Sequence, residues 1–134
     1  MENGFSKGER PDLPDPQECA ILLLLLIRAK EKDSQRPLSR IRLAEITLKR
    51  LWRRHRLREE LLGSIEEWMI RAGWSLFYTG TTFAMVKNQS VEGWPRLSSK
   101  RLSAELKLVE RGEFNFSEHF HLLLEEESDS GDED

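Results

Sequence analysis

The spacing of apolar residues along the chain changes several times, and each change marks an expected element. Residues 20–27 (AILLLLLI) are continuously apolar. They follow a helix start in which Asp15 caps, Pro16 takes the first helical position and Glu18 takes the third, the arrangement of a capping box. This predicts a helix from residue 16 to about residue 32. Because it is apolar all round, it is expected to be central and buried. From Ile41 to Trp52 apolar residues fall at 41, 44, 48, 51 and 52. From Leu57 to Ala72 they fall at 57, 61, 65, 68, 69 and 72. Both spacings are helical. At 100° per residue the two stripes differ in phase by roughly 120°, so one straight helix would bury two different faces. Two helices with a turn near Arg53–Arg56 resolve the conflict, and Gly73 ends the second as a left-handed cap.

Punctuation residues supply the rest. Residues 33–38 (DSQRPL) connect, Pro37 blocks helical continuation, residues 38–42 are compatible with extended chain, and Ser39 is a candidate cap for the helix that follows. Trp74–Lys87 is rich in β-forming residues around Thr79-Gly80-Thr81, which predicts a two-stranded hairpin. Residues 88–95 are expected to be loop, with Trp94 packed. Ser98 or Ser99 caps a further helix to about Glu110, and Arg111-Gly112 stops it. Residues 113–124 fit two patterns. Phe114, Phe116, Phe120, Leu122 and Leu124 alternate as in a strand, whereas Phe116, Phe120, Leu123 and Leu124 fit a helix capped by Ser117. Either way they need a surface to dock on. The boundaries expected are a disordered leader over 1–14, a domain with an appended helix over 15–111, an apolar docking segment over 112–124, and a disordered acidic tail over 125–134.

Charge adds what periodicity cannot. The formal net charge of the 134 residues is −3, but the charges are segregated. Arg36–Arg58 holds nine Lys or Arg against one acid, Glu45. Glu125–Asp134 holds seven acids and no base. A basic block and an acidic tail suit an anionic partner and a device that modulates its binding. The tail could serve solubility, could compete with the anion for the basic block, or could recruit a basic partner. The single cysteine, Cys19, excludes an internal disulfide framework and a cysteine-rich zinc site, and suits a reducing compartment. The apolar run of residues 20–27 is far shorter than the ~20 residues that span a bilayer. Residues 1–18 carry five acids, two bases and three prolines, unlike a cationic leader. A single-domain protein outside the membrane is expected, cytoplasmic and nucleoid-associated in a bacterium. In a eukaryote KRLWRRHRLR would suit nuclear import.

Element order now carries a resemblance. Helix, short extended piece, helix, turn, helix and hairpin follow one another from Asp15 to Lys87, over roughly half the chain. In this the sequence resembles winged helix-turn-helix DNA-binding domains, and WRRHRLREELLGSIEEWMIRAGW followed by SLFYTGTTFAMV is similar to small bacterial or phage regulators. The resemblance implies an α+β, mostly helical fold with a C-terminal helical extension. It implies duplex DNA binding, with the helix from Arg56 to Ala72 as recognition helix, entering the major groove by its N-terminal end. Arg54, His55, Arg56 and Arg58 cluster there, and arginine forks suit guanine edges and phosphates. Arg42, Lys49, Arg53 and Arg56 would line one face of the preceding helix, with Arg50, Arg54 and Arg58 in a neighbouring row that neutralises phosphates. The hairpin tip at Thr79–Thr82 would be an uncharged wing. Glu59, Glu60, Glu66 and Glu67, and the mid-helix pair Gly63-Ser64, depart from a simple DNA-facing helix.

The remaining chemistry is sparse. Arg96, Ser99, Lys100 and Arg101 form a second basic patch, equally consistent with a helix start that holds a phosphate and with an ordinary serine cap. The three histidines, His55, His119 and His121, lack a second ligand cluster, so neither metal nor cofactor is expected. Trp52, Trp68 and Trp74 are expected in the core, and Cys19 as inert core. The function expected is therefore non-catalytic DNA binding as a small transcriptional regulator, with a homodimer or a protein partner through residues 98–124. The alternative is an adaptor or complex subunit built on the same fold.

Overall fold

The computed structural model describes residues 13–132, with side chains through residue 124. The leader expected over 1–14 therefore lies outside the described residues up to residue 12, as do the last two residues of the tail. The chain falls into two compact units that divide between Trp94 and Pro95.

The first unit is α+β. Its order is α1 (Pro16–Ser34), β1 (Arg40–Leu43), α2 (Glu45–Trp52), α3 (Glu59–Arg71), β2 (Trp74–Tyr78), β3 (Phe83–Lys87) and a single turn, α4 (Asn88–Val91). The capping box expected at α1 is present: the Glu18 amide donates to Asp15 Oδ1 at 2.8 Å, and the Asp15 amide donates to Glu18 Oε1 at 2.9 Å. The three strands form an antiparallel sheet in the order β1-β3-β2. Ile41, Met85 and Leu76 stand in one cross-strand row, and Leu43, Phe83 and Tyr78 in the next. Ile41, Met85, Leu76, Leu43 and Phe83 pack on the core, Tyr78 is exposed at the hairpin end, and the alternate residues Arg40, Arg42, Ala84, Ser75, Phe77 and the buried Val86 line the opposite face. The hairpin closes through Thr79–Thr82, where the Thr79 amide donates to the Thr82 carbonyl at 2.8 Å and Gly80 takes a φ of +103°.

The core lies where α1, α2, α3 and the inner face of the sheet meet. Cys19, Leu23, Leu48, Trp52, Ile65 and Met69 are fully enclosed, with Trp74, Leu76, Phe83 and Met85 beside them. Trp68 packs against this cluster from its edge. Burying such side chains contributes about 1.5–3 kcal/mol each, and this holds a unit of its size together.

Several expectations are corrected. The second helix starts at Glu45, behind an extended Ala44, and not at Ile41 under a Ser39 cap. Ile41 and Leu43 alternate with Arg40 and Arg42, and a short run of this kind fits either period. Pairing with β3, supported by the Lys87 amide donating to the Ser39 carbonyl at 2.8 Å, selects the strand. The third helix begins at Glu59, not at Arg56 or Leu57. Leu57 and Leu62 occupy the positions of a hydrophobic staple across the Arg58 cap and both pack on the core, while Glu59 and Glu60 suit the positive end of the helix. Residues 88–91 form a helical turn, not loop, with Asn88 Oδ1 accepting from the Ser75 hydroxyl at 2.6 Å. Trp94 is exposed. Above all, α1 is not buried all round. Cys19, Ala20, Leu23 and Ile27 face inward, but Ile21, Leu25 and Leu26 are exposed, because α2, α3 and the sheet cover one side only.

The second unit contains a 3-10 turn (Ser99–Leu102), α5 (Ser103–Glu110) and α6 (Phe116–Asp132). Residues 113–124 thus resolve as helix from Phe116 onward. The cap is Asn115, whose Oδ1 accepts from the Glu118 amide at 3.2 Å, and not Ser117. The helix continues through 125–132, the acidic run expected to be unstructured. None of residues 95–124 is buried.

Trp52 is the element that registers α2 on α1, through its indole N–H donating to the Cys19 carbonyl at 2.9 Å in the core. Trp52→Phe removes that bond and part of the ring volume. A loss of about 1–3 kcal/mol is expected in urea denaturation followed by circular dichroism, with the folded spectrum retained.

Candidate nucleic-acid interface

The basic segment is distributed over three pieces of backbone with different local causes. Arg40 and Arg42 sit on β1, an edge strand, and project from the sheet face opposite the core. Lys49 and Arg50 occupy the last turn of α2, where positive charge suits the carbonyl end of the helix. Arg53 then adopts a left-handed φ of +58° as the C-cap, and the Arg54 amide donates to the Lys49 carbonyl at 2.9 Å. That reversal turns the chain into the joint of residues 54–58, which delivers it to α3.

This geometry separates residues that a continuous helix would have aligned. Arg42 is on a strand, Lys49 on α2, Arg53 on its cap and Arg56 in the joint, so the expected single face through these four does not form. The row Arg50, Arg54, Arg58 is broken at the same turn. Lys49 is engaged by Glu45 at 3.1 Å, one helical turn earlier. Arg54 is turned inward and partly buried: Nη2 donates to the Pro14 carbonyl at 2.7 Å and Nη1 to the Trp52 carbonyl at 3.4 Å. It ties the joint to the start of α1. Arg50, Arg53, Arg56 and Arg58 are exposed, as are Arg40 and Arg42. Arg40 is the basic residue that helical spacing missed, and its signal was the alternation Arg-Ile-Arg-Leu.

Along α3 the charge reverses. Glu59, Glu60 and Glu67 are exposed and Glu66 is half-buried, and burial raises the Glu66 carboxyl above its ordinary pKa. Arg71, at the other end, lies over the Trp68 ring at 4.5 Å. A polar cleft of about 370 Å³ runs between the start of α1 and α3, lined by Asp15, Gln17, Ser64, Glu67, Trp68 and Arg71. Two carboxylates against one guanidinium make it unsuited to a phosphate. An apolar groove of about 230 Å³ lies between α1 and β1, lined by Leu23, Leu26, Ile27, Ile41 and Leu43 with Lys30 and Asp33. The Thr79–Thr82 tip adds hydroxyls and backbone groups, although Thr82 Oγ1 is committed to the Leu43 carbonyl at 2.7 Å.

The second basic patch belongs to the other unit. Of the two serines expected as candidate caps, Ser98 takes the role: its Oγ accepts from the Lys100 amide at 3.2 Å. Ser99, Lys100 and Arg101 lie on the 3-10 turn and Arg96 precedes it, all exposed. His119 stacks on Phe114 at 4.7 Å, with Nδ1 2.9 Å from the Asn115 carbonyl, an arrangement of local packing. Among the described residues, no group of His, Cys, Asp and Glu is placed to hold a metal ion, and no helix is long and apolar enough to cross a membrane. Cys19 is enclosed, and burial pushes its thiol up to about 11, against a partial opposing effect of Arg54. It is therefore a poor nucleophile at neutral pH.

Comparison with protein-family models, with curated proteins and with solved structures finds no match for this chain.

Two outcomes follow from this electrostatic arrangement. Arg54→Ala removes the hydrogen bond that joins the joint to Pro14 and the one to the Trp52 carbonyl, so a stability loss of about 1–2 kcal/mol is expected in thermal denaturation. Glu66→Gln acts with pH. The folded state holds the Glu66 proton more tightly than the unfolded state, so stability falls as pH rises from the ordinary glutamate range through the raised one. The substitution is expected to raise the melting temperature at pH 7 and leave it unchanged at pH 3.

Proposed function

We propose that this chain binds duplex DNA through a winged helix-turn-helix domain spanning residues 15–87 and acts, without catalysis, as a small transcriptional regulator. The reading rests on one observation above others. The segment through the turn between α2 and α3 leaves Arg50, Arg56 and Arg58 exposed, and the one acid between Arg36 and Arg58 in the sequence is Glu45, which is paired with Lys49. The element order and the antiparallel β1-β3-β2 sheet support the fold assignment.

The charge reversal along α3 shapes the docking mode. Phosphates would be repelled by Glu59 and Glu60 in the first turn of α3 and by Glu67 further along it. The contact is therefore through the joint that precedes α3, with Arg40 and Arg42 available for the flanking backbone. Arg54 is a scaffold residue in this scheme, not a DNA ligand. An adaptor role is the second reading. It draws on the exposed apolar residues of the second unit, among them Leu97, Phe116, Phe120 and Leu123.

Fluorescence-anisotropy titration of duplex DNA over a salt series tests the first reading. The full chain is expected to lose affinity linearly in log salt, with a slope near −0.9 per phosphate neutralised. The double reversal Arg56→Glu with Arg58→Glu is expected to weaken binding by more than about tenfold and to flatten the slope by about two. Absence of binding at low salt, or equal binding by the reversed variant, would remove the DNA reading and favour the adaptor.

A further inference from the structure

The exposed side of α1 is arranged as a self-complementary surface. Its buried side, Cys19, Ala20, Leu23 and Ile27, faces α2 and α3. Around the helix at 100° per residue, the opposite side carries Glu18, Ile21, Leu25, Arg28, Ala29 and Lys32, with Leu22, half-buried against the core, at its edge. Ile21 is 48% exposed and Leu25 55% exposed. A helix capped by a full capping box and packed on a closed core gains nothing in its own fold from leucines on its outer side. The charges at the two ends of the stripe are of opposite sign. Glu18 stands seven residues before Leu25, and Lys32 seven residues after it.

We propose that α1 pairs antiparallel with α1 of a second copy, with Leu25 at the two-fold axis. In that register position i meets position 50 − i of the partner. Leu25 packs on its own counterpart, Ile21 meets Ala29, Leu22 lies along the stem of Arg28, and Glu18 pairs with Lys32 at both ends. The contact is isologous, as a closed dimer requires. A parallel pair would instead set Glu18 beside Glu18 and Lys32 beside Lys32. The same argument disfavours a parallel pairing through α6, whose C-terminal half carries the run of acids from Glu125 onward. Engagement of Glu18 Oε1 by the Asp15 amide does not prevent its ion pair, because a carboxylate accepts several hydrogen bonds.

The dimer leaves both basic joints uncovered, since they lie on the buried side of α1. Each joint is tied to Pro14 by Arg54, at the start of its own α1. In an antiparallel pair these starts are on the order of 30 Å apart along the axis. Resting on the DNA reading, that spacing matches half-sites about one duplex turn apart, roughly 34–36 Å. The dimer itself does not require DNA.

Sedimentation equilibrium of the full chain without DNA is the test, paired with cysteine cross-linking. The native chain is expected to be dimeric in the micromolar range. Leu25→Glu is expected to raise the dimer Kd by on the order of thirtyfold or more, with an unchanged circular dichroism spectrum because residue 25 is exposed. Lys32→Glu is expected to weaken it by about two- to fivefold. Under mild oxidation, Leu25→Cys is expected to give a disulfide-linked dimer, while Ala29→Cys alone does not and links only when mixed with Ile21→Cys. Buried Cys19 does not compete. A monomer throughout the micromolar range, a dimer untouched by Leu25→Glu, or self-linking of Ala29→Cys would overturn the proposal. A dimer that fails to bind DNA would overturn only the DNA reading.

Discussion

The indole N–H of Trp52 donates to the carbonyl of Cys19 across the core, and the placement of the basic joint depends on that bond. Trp52 is the last residue of α2 and is fully buried. Fixing it against α1 fixes where α2 stops, and the left-handed Arg53 immediately redirects the chain. Arg54 then reaches back to Pro14, next to the capping box that starts α1. The joint is thus clamped at one end by a buried hydrogen bond and along its length by a charged one. A loop rich in arginine would otherwise repel itself and sample many conformations. Here one arginine holds the scaffold, while Arg56 and Arg58 beside it stay exposed.

The same segment shows how helix stability and anion binding compete. Glu59 and Glu60 favour the first turn of α3, because carboxylates suit the positive end of a helix. A phosphate approaching that end would be attracted by the same dipole and repelled by the same carboxylates. The bases that answer them sit just outside the helix, in the joint, with Arg58 immediately before Glu59. Glu66 is half-buried on the same helix, and burial raises its carboxyl above the ordinary range.

Apolar surface is unevenly covered in both units. The first has a closed core and one uncovered helix side. The second has side chains such as Leu102 and Leu106 on a 3-10 turn and the eight-residue α5, and Phe116 and Phe120 on α6, none of them buried. Isolated helices of eight residues are marginal in water. A surface of this kind calls for a further contact, and the charge pattern of α1 suggests what covers the first unit.

Much of the local structure was determined by the sequence itself. The capping box at Asp15, the two phases that demanded a break between α2 and α3, the glycine cap at Gly73 and the hairpin around Gly80 depend on neighbours within a few residues. Tertiary structure decided what those neighbours leave open. The run Arg40–Leu43 fits helix or strand until β3 supplies hydrogen-bond partners. The run of residues 20–27 is apolar on every side, and only the position of α2, α3 and the sheet determines that Leu23 is enclosed while Leu25 is not. Arg54 and Arg56 are indistinguishable by composition, and the fold assigns one to the scaffold and leaves the other exposed. The physical reason is common to all three. Caps and turns close within a few residues, so local chemistry specifies them. Burial and strand pairing depend on residues 33 to 46 positions away, and a side chain's role is set when those residues arrive.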